Sequence, residues 1–493
     1  MKTMKNIIKC LTASLLVVNL SSCVDLDPEP LSFFAPENTF MDKEGLEALL
    51  ITSRKQIKWE WFGDAFNAGY CETPLVYEYA WSDISVMGAP EVKEIHNLET
   101  QLTPTTNMAL HLRYWDLAWN GIKYANTLIS RVPKSNIDNE DDKNQLLAEG
   151  YFHRAYWYYL LVNQWGDVPL LLEEVTGPKL DFYSTSRMKI LQQMKTDMEF
   201  AVKWLPKNVQ PGCVSRAAGE HLLAKIYLCT GDFQFAVDAT TRCINDYGLH
   251  LMKERFGVNA SDASLDVFND LFQEDNISAS ENKEAIFVVQ ERYGIEGNVA
   301  PKGSARMRNF VPYWCNGAAV KTPDGKQGTT YDAGPYEGYE WVEKLGRGIA
   351  KIRPTNYSQY AIWGKCGNDI RHNDNNWFNI SRLTYNRPAS KGGSEEYFGK
   401  PIERAFVSDT MRCYFSFPTV KTLIYKDDIN VGKTPTGGFT DTYVFRLAET
   451  YLMRAEAYYW LGNLPLAKED VNEIRRRAKA PELPSVTLDD ILD

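Results

Sequence analysis

Histidine is scarce in this chain: six residues in 493, at positions 96, 111, 153, 221, 250 and 372. No two stand at a spacing that suits a metal, and no H-E-x-x-H text occurs. The nine cysteines lie at irregular intervals without a C-x-x-C. Setting aside Cys10 and Cys23, which belong to the leader described below, Cys71, Cys213, Cys229, Cys243, Cys315, Cys366 and Cys413 remain. An odd, unevenly spaced set in a domain this large argues against a disulfide framework and against a structural zinc site. Positive charge is also short, with 54 Lys and Arg against 64 Asp and Glu. Without the first 22 residues, which carry three Lys and no acid, the net charge is −13. Such a chain does not hold nucleic acid through a phosphate-neutralising patch, and an anionic membrane surface repels it. Neutral partners fit better.

Catalytic text is missing as well. Gly432-Lys433-Thr434 has the tail of a phosphate loop, but Asp427 stands where its first Gly belongs. Gly346-Arg347-Gly348 begins a dinucleotide fingerprint that Lys351 breaks. There is no G-x-S-x-G. Carboxylates are abundant, so a glycosidase pair is neither supported nor excluded by counting. Asn373-Asp374-Asn375-Asn376 is dense in oxygen but lacks the Gly and distant Glu of a calcium loop, and reads as a solvated turn. No cofactor and no metal site is expected.

What the chain has in excess is aromatic surface: 27 Tyr, 22 Phe and 13 Trp, 13% of all residues. Trp115, Trp119, Trp157 and Trp204 fall on helical periods and read as core. Trp81, Tyr313, Trp314, Trp341, Trp363 and Trp377 fall in polar or Gly-rich text with no period. A sugar presents C–H bonds on its faces and hydroxyls at its rim. Flat rings cover the former, while Asn, Asp, Arg and Gln bond the latter. These six are therefore the candidate glycan contacts, with packing inside a loop core as the competing reading.

Residues 1–22 form an address. Lys2, Lys5 and Lys9 precede an apolar stretch, Leu11 to Leu20, too short for a bilayer span, which needs about 20 residues. The residues alone fit a secretory leader cut near Ser22. Small residues directly before a cysteine, Leu20-Ser21-Ser22-Cys23, also resemble a bacterial lipobox, in which Cys23 becomes the lipid-bearing first residue. No later run of 18 apolar residues occurs. Residues 23–40 are acidic and Pro-containing and read as a leash.

Helical periods follow over 108–132, 145–165 and 187–204. A repeat then appears. Tyr227, Gly231, Phe233 and Ala236 stand at the same offsets as Tyr458, Gly462, Leu464 and Ala467. This is the tetratricopeptide pattern of helix, Gly turn and second helix, with a small residue at the close contact. Between the copies the composition shifts. Residues 291–350 hold ten Gly, and only short strand-like runs such as 284–289 and 443–445 occur. The expected division is an N-terminal helical part at 41–250, a loop-rich ligand-binding lobe at 251–440, and C-terminal helices at 441–493.

Five stretches together resemble the SusD/RagB family of Bacteroidetes outer-membrane lipoproteins: Cys23-Val24-Asp25-Leu26-Asp27-Pro28, residues 119–126, residues 148–171 with Arg154-Ala155-Tyr156 and Trp165-Gly166-Asp167-Val168-Pro169, residues 215–228, and residues 445–478. Asp369-Ile370-Arg371 is similar to the family's D-x-R element. The resemblance implies a mainly α fold, a tetratricopeptide-like scaffold with an irregular lobe containing short strands. It implies no catalysis. It implies an extracellular-face lipoprotein anchored in the outer membrane through Cys23, with a SusC-like TonB-dependent porin as partner and an oligosaccharide or polysaccharide as ligand. RagB-like peptide capture is the alternative. Arg154, Trp165, Asp369 and Arg371 are implied to be structural. Family members usually continue beyond the text that ends at Asp493, so the last helical unit is expected to lack its partner.

Overall fold

The computed structural model describes residues 40–62, 82–88, 103, 109–299, 303–332, 334, 336–414, 419–424 and 437–493. Cys23, Cys71 and Trp81 lie outside them. Eight helices build the scaffold: α1 (Lys43–Trp61), α2 (Ala109–Arg131), α3 (Glu140–Trp165), α4 (Arg187–Trp204), α5 (Arg216–Thr230), α6 (Phe233–Asn245), α7 (Leu447–Trp460) and α8 (Leu464–Arg477). A five-residue helix, α9 (Leu488–Leu492), follows.

Local chemistry sets the ends. Asn139 caps α3 by accepting from the Asp141 N–H at 2.9 Å, and Glu140, Asp141 and Asp142 oppose the positive end of the helix dipole. Ser215 caps α5 through the Ala218 N–H at 3.2 Å. Both repeat turns are left-handed, with φ of 78° at Gly231 and 76° at Gly462, a conformation a Cβ disfavours. Ala236 and Ala467 are fully buried at the two close contacts.

Each scaffold helix packs on its predecessor, and α6 packs directly on α7 although residues 246–446 separate them. The helical stack is thus continuous in space and interrupted in sequence. Its core runs through Phe152, Tyr156, Trp157, Met194, Leu222 and Leu447. At Gly121 α2 comes so close to α3 that a side-chain methyl would run into the Trp157 indole. Arg154, in the middle of α3, is 3% exposed. It grips Asp197 of α4 with two bonds, at 2.8 and 3.0 Å.

The two strand-like runs of the sequence pair with each other. β4 (Ala285–Val289) and β6 (Thr442–Arg446) are antiparallel, with Phe287 opposite Phe445 and Val289 opposite Thr442. Two smaller antiparallel pairs join β1 (Ser85–Met87) to β5 (Ile352–Pro354) and β2 (Val168–Pro169) to β3 (Ser184–Thr185). The residues between β4 and β6 form the lobe. It has a core of its own around Trp314, Val342, Leu345, Tyr385, Ile402 and Cys413.

The lobe corrects two expectations. Trp314 is 0% exposed and donates its Nε1 to Gly346 O at 3.0 Å. It is a core residue, because a loop-built lobe still needs a large apolar centre. The 373–376 turn is solvated only at Asp374 and Asn375, which are exposed. Asn376 is 1% exposed, and Asn373 and Asn376 donate to the Asp266 carboxylate at 2.7 and 2.8 Å, tying the turn to the segment that precedes β4.

Candidate ligand-binding surfaces

The segment after β5 is held from below. Pro354 ends the strand, and Thr355 then donates its N–H to Ile84 O at 3.0 Å and its hydroxyl to Asp83 O at 2.7 Å. Ser358 donates to the same Ile84 carbonyl. One wide helical turn (Tyr357–Ala361) and a tighter one (Ile362–Lys365) follow. Wide turns of this kind recur at functional positions. Here the turn pushes Tyr357 and Tyr360 outward, 39% and 56% exposed. It sits between two depressions.

The outer depression is shallow, about 580 Å³, and is lined by Asn356, Tyr360, Ala361, Gly364 and Arg404. The Arg404 guanidinium lies 6.0 Å from the centroid of the Tyr414 ring. An aromatic face, an amide and a guanidinium therefore border one opening.

The inner depression is a cleft of about 1010 Å³ between lobe and scaffold. Trp363 and Trp377 lie on its lobe side. Trp363 stacks on His372 at 4.4 Å and 20°, meets Trp377 edge-on at 5.6 Å, and donates its Nε1 to Ser358 O at 3.0 Å. Burial lowers the His372 pKa, and Asp369 offsets it only in part. On the scaffold side Glu449 accepts from Lys225 and stands 3.1 Å from His221 Nε2. Burial opposes the Glu449 charge, but Lys225 and His221 outweigh it and hold the carboxyl well below its usual range.

A group of cations gathers at the lobe end of the cleft. Glu284, wholly buried, bridges Arg446 at 2.6 Å and Arg477. Arg371 pairs with Asp369, its nearest contact 2.6 Å. The Lys421 ammonium lies beside the Phe268 and Phe272 rings, 5.7 and 5.8 Å from their centroids. Among the described residues its ammonium makes no hydrogen bond or ion pair. Four cations thus share two carboxylates.

Lys421 is exposed along its side chain; the protein crowded around its ammonium, then the charges of Arg446, Arg371 and Arg477, lower its pKa from 10.5 toward about 7, with Asp369 offsetting part of it. Glu284 and the Arg306 guanidinium, which donates to Lys421 O at 3.2 Å, complete its charged surroundings. A folded pKa below the unfolded one means that the unfolded chain holds the proton over the interval between them. Stability therefore rises with pH from about 7 to about 10. Lys421→Met should flatten that rise. Urea midpoints of both proteins between pH 7 and 10 check this, and an unchanged slope would assign the effect elsewhere.

Of the six aromatic candidates, the structure brings Trp363 and Trp377 together. Tyr313 lies half-buried beneath Arg412, at 5.1 Å. Trp341 donates its Nε1 to Thr384 Oγ1 at 2.8 Å and meets Phe378 edge-on at 5.4 Å. Neither Tyr313 nor Trp341 lines either depression. Trp314 is core, and Trp81 lies outside the described residues. Sequence reasoning missed Tyr357, Tyr360, Asn356, Arg404 and the cation group. Its one available signal was the Asn356-Tyr357-Ser358-Gln359-Tyr360 text between Pro354 and Gly364. Among the described residues no cluster of His, Cys, Asp and Glu is placed to hold a metal, and no helix is long and apolar enough to cross a membrane.

Residues 72–228 match a family model described as starch-binding and associating with the outer membrane, SusD-like. Residues 340–491 match the SusD family model, SusD_RagB. A SusD-like protein, P2, of Formosa agariphila is 29% identical over 240 residues, 48% of this chain and 46% of that protein. The chain thus spans about half the length of that relative. A SusD superfamily structure from Bacteroides vulgatus aligns with a TM-score of 0.64 and 19% identity, over 92% of this chain and 83% of that one. Surface glycan-binding protein A from Bacteroides thetaiotaomicron, in complex with laminarihexaose, aligns with a TM-score of 0.63 and 16% identity, over 92% and 86%. These likenesses carry the fold.

Proposed function

The chain belongs to the SusD/RagB family, and on that premise we propose that it binds oligosaccharide without catalysis at the outer depression of its lobe. It acts on the extracellular face of the outer membrane, anchored by lipid on Cys23, and delivers its ligand to a SusC-like TonB-dependent porin. The observation that carries the reading is the Tyr360 ring, 56% exposed, bordering an opening that Asn356 and Arg404 also line. The ring covers a sugar's C–H face, and the amide and guanidinium bond its hydroxyl rim. Tyr357 lies on the inner cleft instead, where its hydroxyl donates to Asp493. The structural neighbour that holds laminarihexaose supports a glycan as ligand class. The aromatic contact is thus Tyr360 of the 357–361 turn, which Trp363 braces from within through its bond to Ser358 O.

The test is native affinity electrophoresis of the unlipidated protein, residues 24–493. The gels carry starch, xylan, pectin, mannan, β-glucans or mucin glycans. Retardation is expected in one gel. Tyr360→Ala should weaken binding by about 2 kcal/mol, roughly thirtyfold, the loss typical of an anchoring aromatic. Retardation untouched by both Tyr360→Ala and Arg404→Ala would reject the site. Peptide binding with no retardation in any gel would favour RagB-like peptide capture.

A further inference from the structure

The chain as a whole is acidic, yet one part of the lobe holds two neighbouring arginines that no acid pairs. Segment 346–350 follows the helix Tyr339–Leu345 and lies against the residues around the end of the helix Arg306–Phe310. Ile349 donates its N–H to Arg308 O at 2.8 Å, and Ala350 donates to Val311 O at 3.0 Å. Arg412 closes the other side. Its Nη2 donates to Ile349 O at 3.1 Å, while its own carbonyl accepts from the Tyr313 N–H at 2.7 Å. Gly348 lies so close to the Val311 and Pro312 carbonyls that a Cβ would strike them. Ala350, wholly buried, is left-handed with φ of 45°. A residue other than glycine persists in that conformation only where its surroundings hold it, and such positions recur at ligand clamps. The segment is firmly held, and it sets Arg347 near Arg308.

Among the described residues neither guanidinium makes an ion pair or a hydrogen bond. Arg347 lies over the exposed Tyr331 ring, 4.6 Å from its centroid, and its Nε is buried without a partner. Partial burial, then the charge of Arg347, lowers the Arg308 pKa, and no carboxylate is among the groups that oppose them. Two acids of adjoining segments are engaged elsewhere, Asp332 with Lys391 at 3.4 Å and Asp409 with the Arg412 N–H at 3.1 Å. A guanidinium fork matches the paired oxygens of a carboxylate or a sulfate. An exposed ring beside it suits the C–H face of a sugar.

We infer that Arg308 and Arg347 form a subsite for an oxyanion carried on a sugar, a uronate carboxylate or a sulfate ester, with Tyr331 against the sugar that bears it. The oxyanion accepts from both guanidinium groups and relieves their mutual repulsion. The inference rests on the glycan reading above, but on none of the residues that line the outer depression.

The test uses residues 24–493 and two matched pairs of probes. One pair is trigalacturonate and its methyl ester. The other is a sulfated galactan tetrasaccharide and its desulfated form. Calorimetry should show the acidic member of one pair binding at least about tenfold tighter than its neutral counterpart, the size of one charge-assisted hydrogen bond. The pair that responds tells carboxylate from sulfate. Arg308→Gln and Arg347→Gln should each erase most of the preference. Arg308→Gln should melt at the same temperature or higher, because it removes one of two like charges. In the unaltered protein the preferred sugar should shield Arg308 and Arg347 from phenylglyoxal, read by peptide mapping. Equal affinity within both pairs, a preference that survives both substitutions, or shielding of neither arginine overturns the inference. So does triglutamate shielding them as well as the sugar does, which would make the pair a contact for acidic polypeptide. The acid-to-neutral ratio, unlike the affinity itself, should be unchanged by Tyr360→Ala. Failure of the glycan reading at the outer depression shows as Tyr360→Ala and Arg404→Ala without effect, whereas failure here shows as a ratio near one.

Discussion

Arg154→Met is expected to destabilise the scaffold by about 3–5 kcal/mol, the range for breaking a buried ion pair from one side. The guanidinium is almost fully enclosed and makes four bonds. Two go to Asp197, one to Asn126 Oδ1 at 3.1 Å, and one to Leu172 O at 2.8 Å. Methionine matches its apolar stem but leaves the Asp197 carboxylate buried with only the Gln193 amide, at 3.0 Å. Burial already raises the Asp197 pKa despite the neighbouring arginine. Without Arg154 that penalty stands alone, and α2, α3 and α4 lose their common tie. The urea midpoint should fall accordingly, and Arg154→Met/Asp197→Leu should recover much of the loss, since apolar pairs replace buried ion pairs at little cost. A single variant within about 0.5 kcal/mol of the parent would show the pair to be dispensable.

Glu284→Gln is the second large effect, again about 3–5 kcal/mol. Glu284 stands at the start of β4 and holds Arg446 of β6 and Arg477 of α8 at once, while also accepting from the Met252 N–H at 3.0 Å. Gln keeps the shape and removes the charge. Arg371, Lys421, Arg446 and Arg477 would then share Asp369 alone. Burial, only partly opposed by Glu284, already lowers the Arg477 pKa to about 10. The loss should be strongly non-additive with Lys421→Met. Removing one cation matters more when the carboxylate is gone, so the double variant should be more stable than the sum of the two singles. Strict additivity would mean that these charges do not sense one another.

The helical half of this molecule was legible from its residues because helices announce themselves by period and by cap. The run 187–204 matches α4 at both ends, and the equal offsets around Gly231 and Gly462 mark two hairpins whose turns have the same left-handed geometry. The lobe was legible only as a change of composition. Its core forms between loops, where no period distinguishes a buried ring from an exposed one. Trp314 and Trp363 therefore looked alike, although one is sealed in the lobe core and the other lines the cleft. The pairing of β4 with β6 was also hidden, since each run is short and its partner lies far along the chain. The cation group was invisible for the same reason. Arg371, Lys421, Arg446 and Arg477 come from four separate stretches, and only the fold gathers them, with Arg446 and Arg477 on Glu284.

The interruption of the helical stack bears on how the chain acquires its shape. Helix α6 finds its neighbour only when α7 arrives, after the whole of residues 246–446. At about 5–20 residues per second, that wait is on the order of 10–40 s. During it, the flank of α5 and α6 that later receives Phe445, Thr450 and Trp460 is uncovered; Phe233 stacks on Trp460 and His221 meets Thr450 in the finished fold. The equilibrium penalty for so long an excursion is modest, because closure entropy grows only with the logarithm of loop length. The burden is kinetic. A newly made chain carries a sticky half-built stack for many seconds, and a holding chaperone that covers the α5–α6 flank would raise the yield of folded protein without altering its final stability.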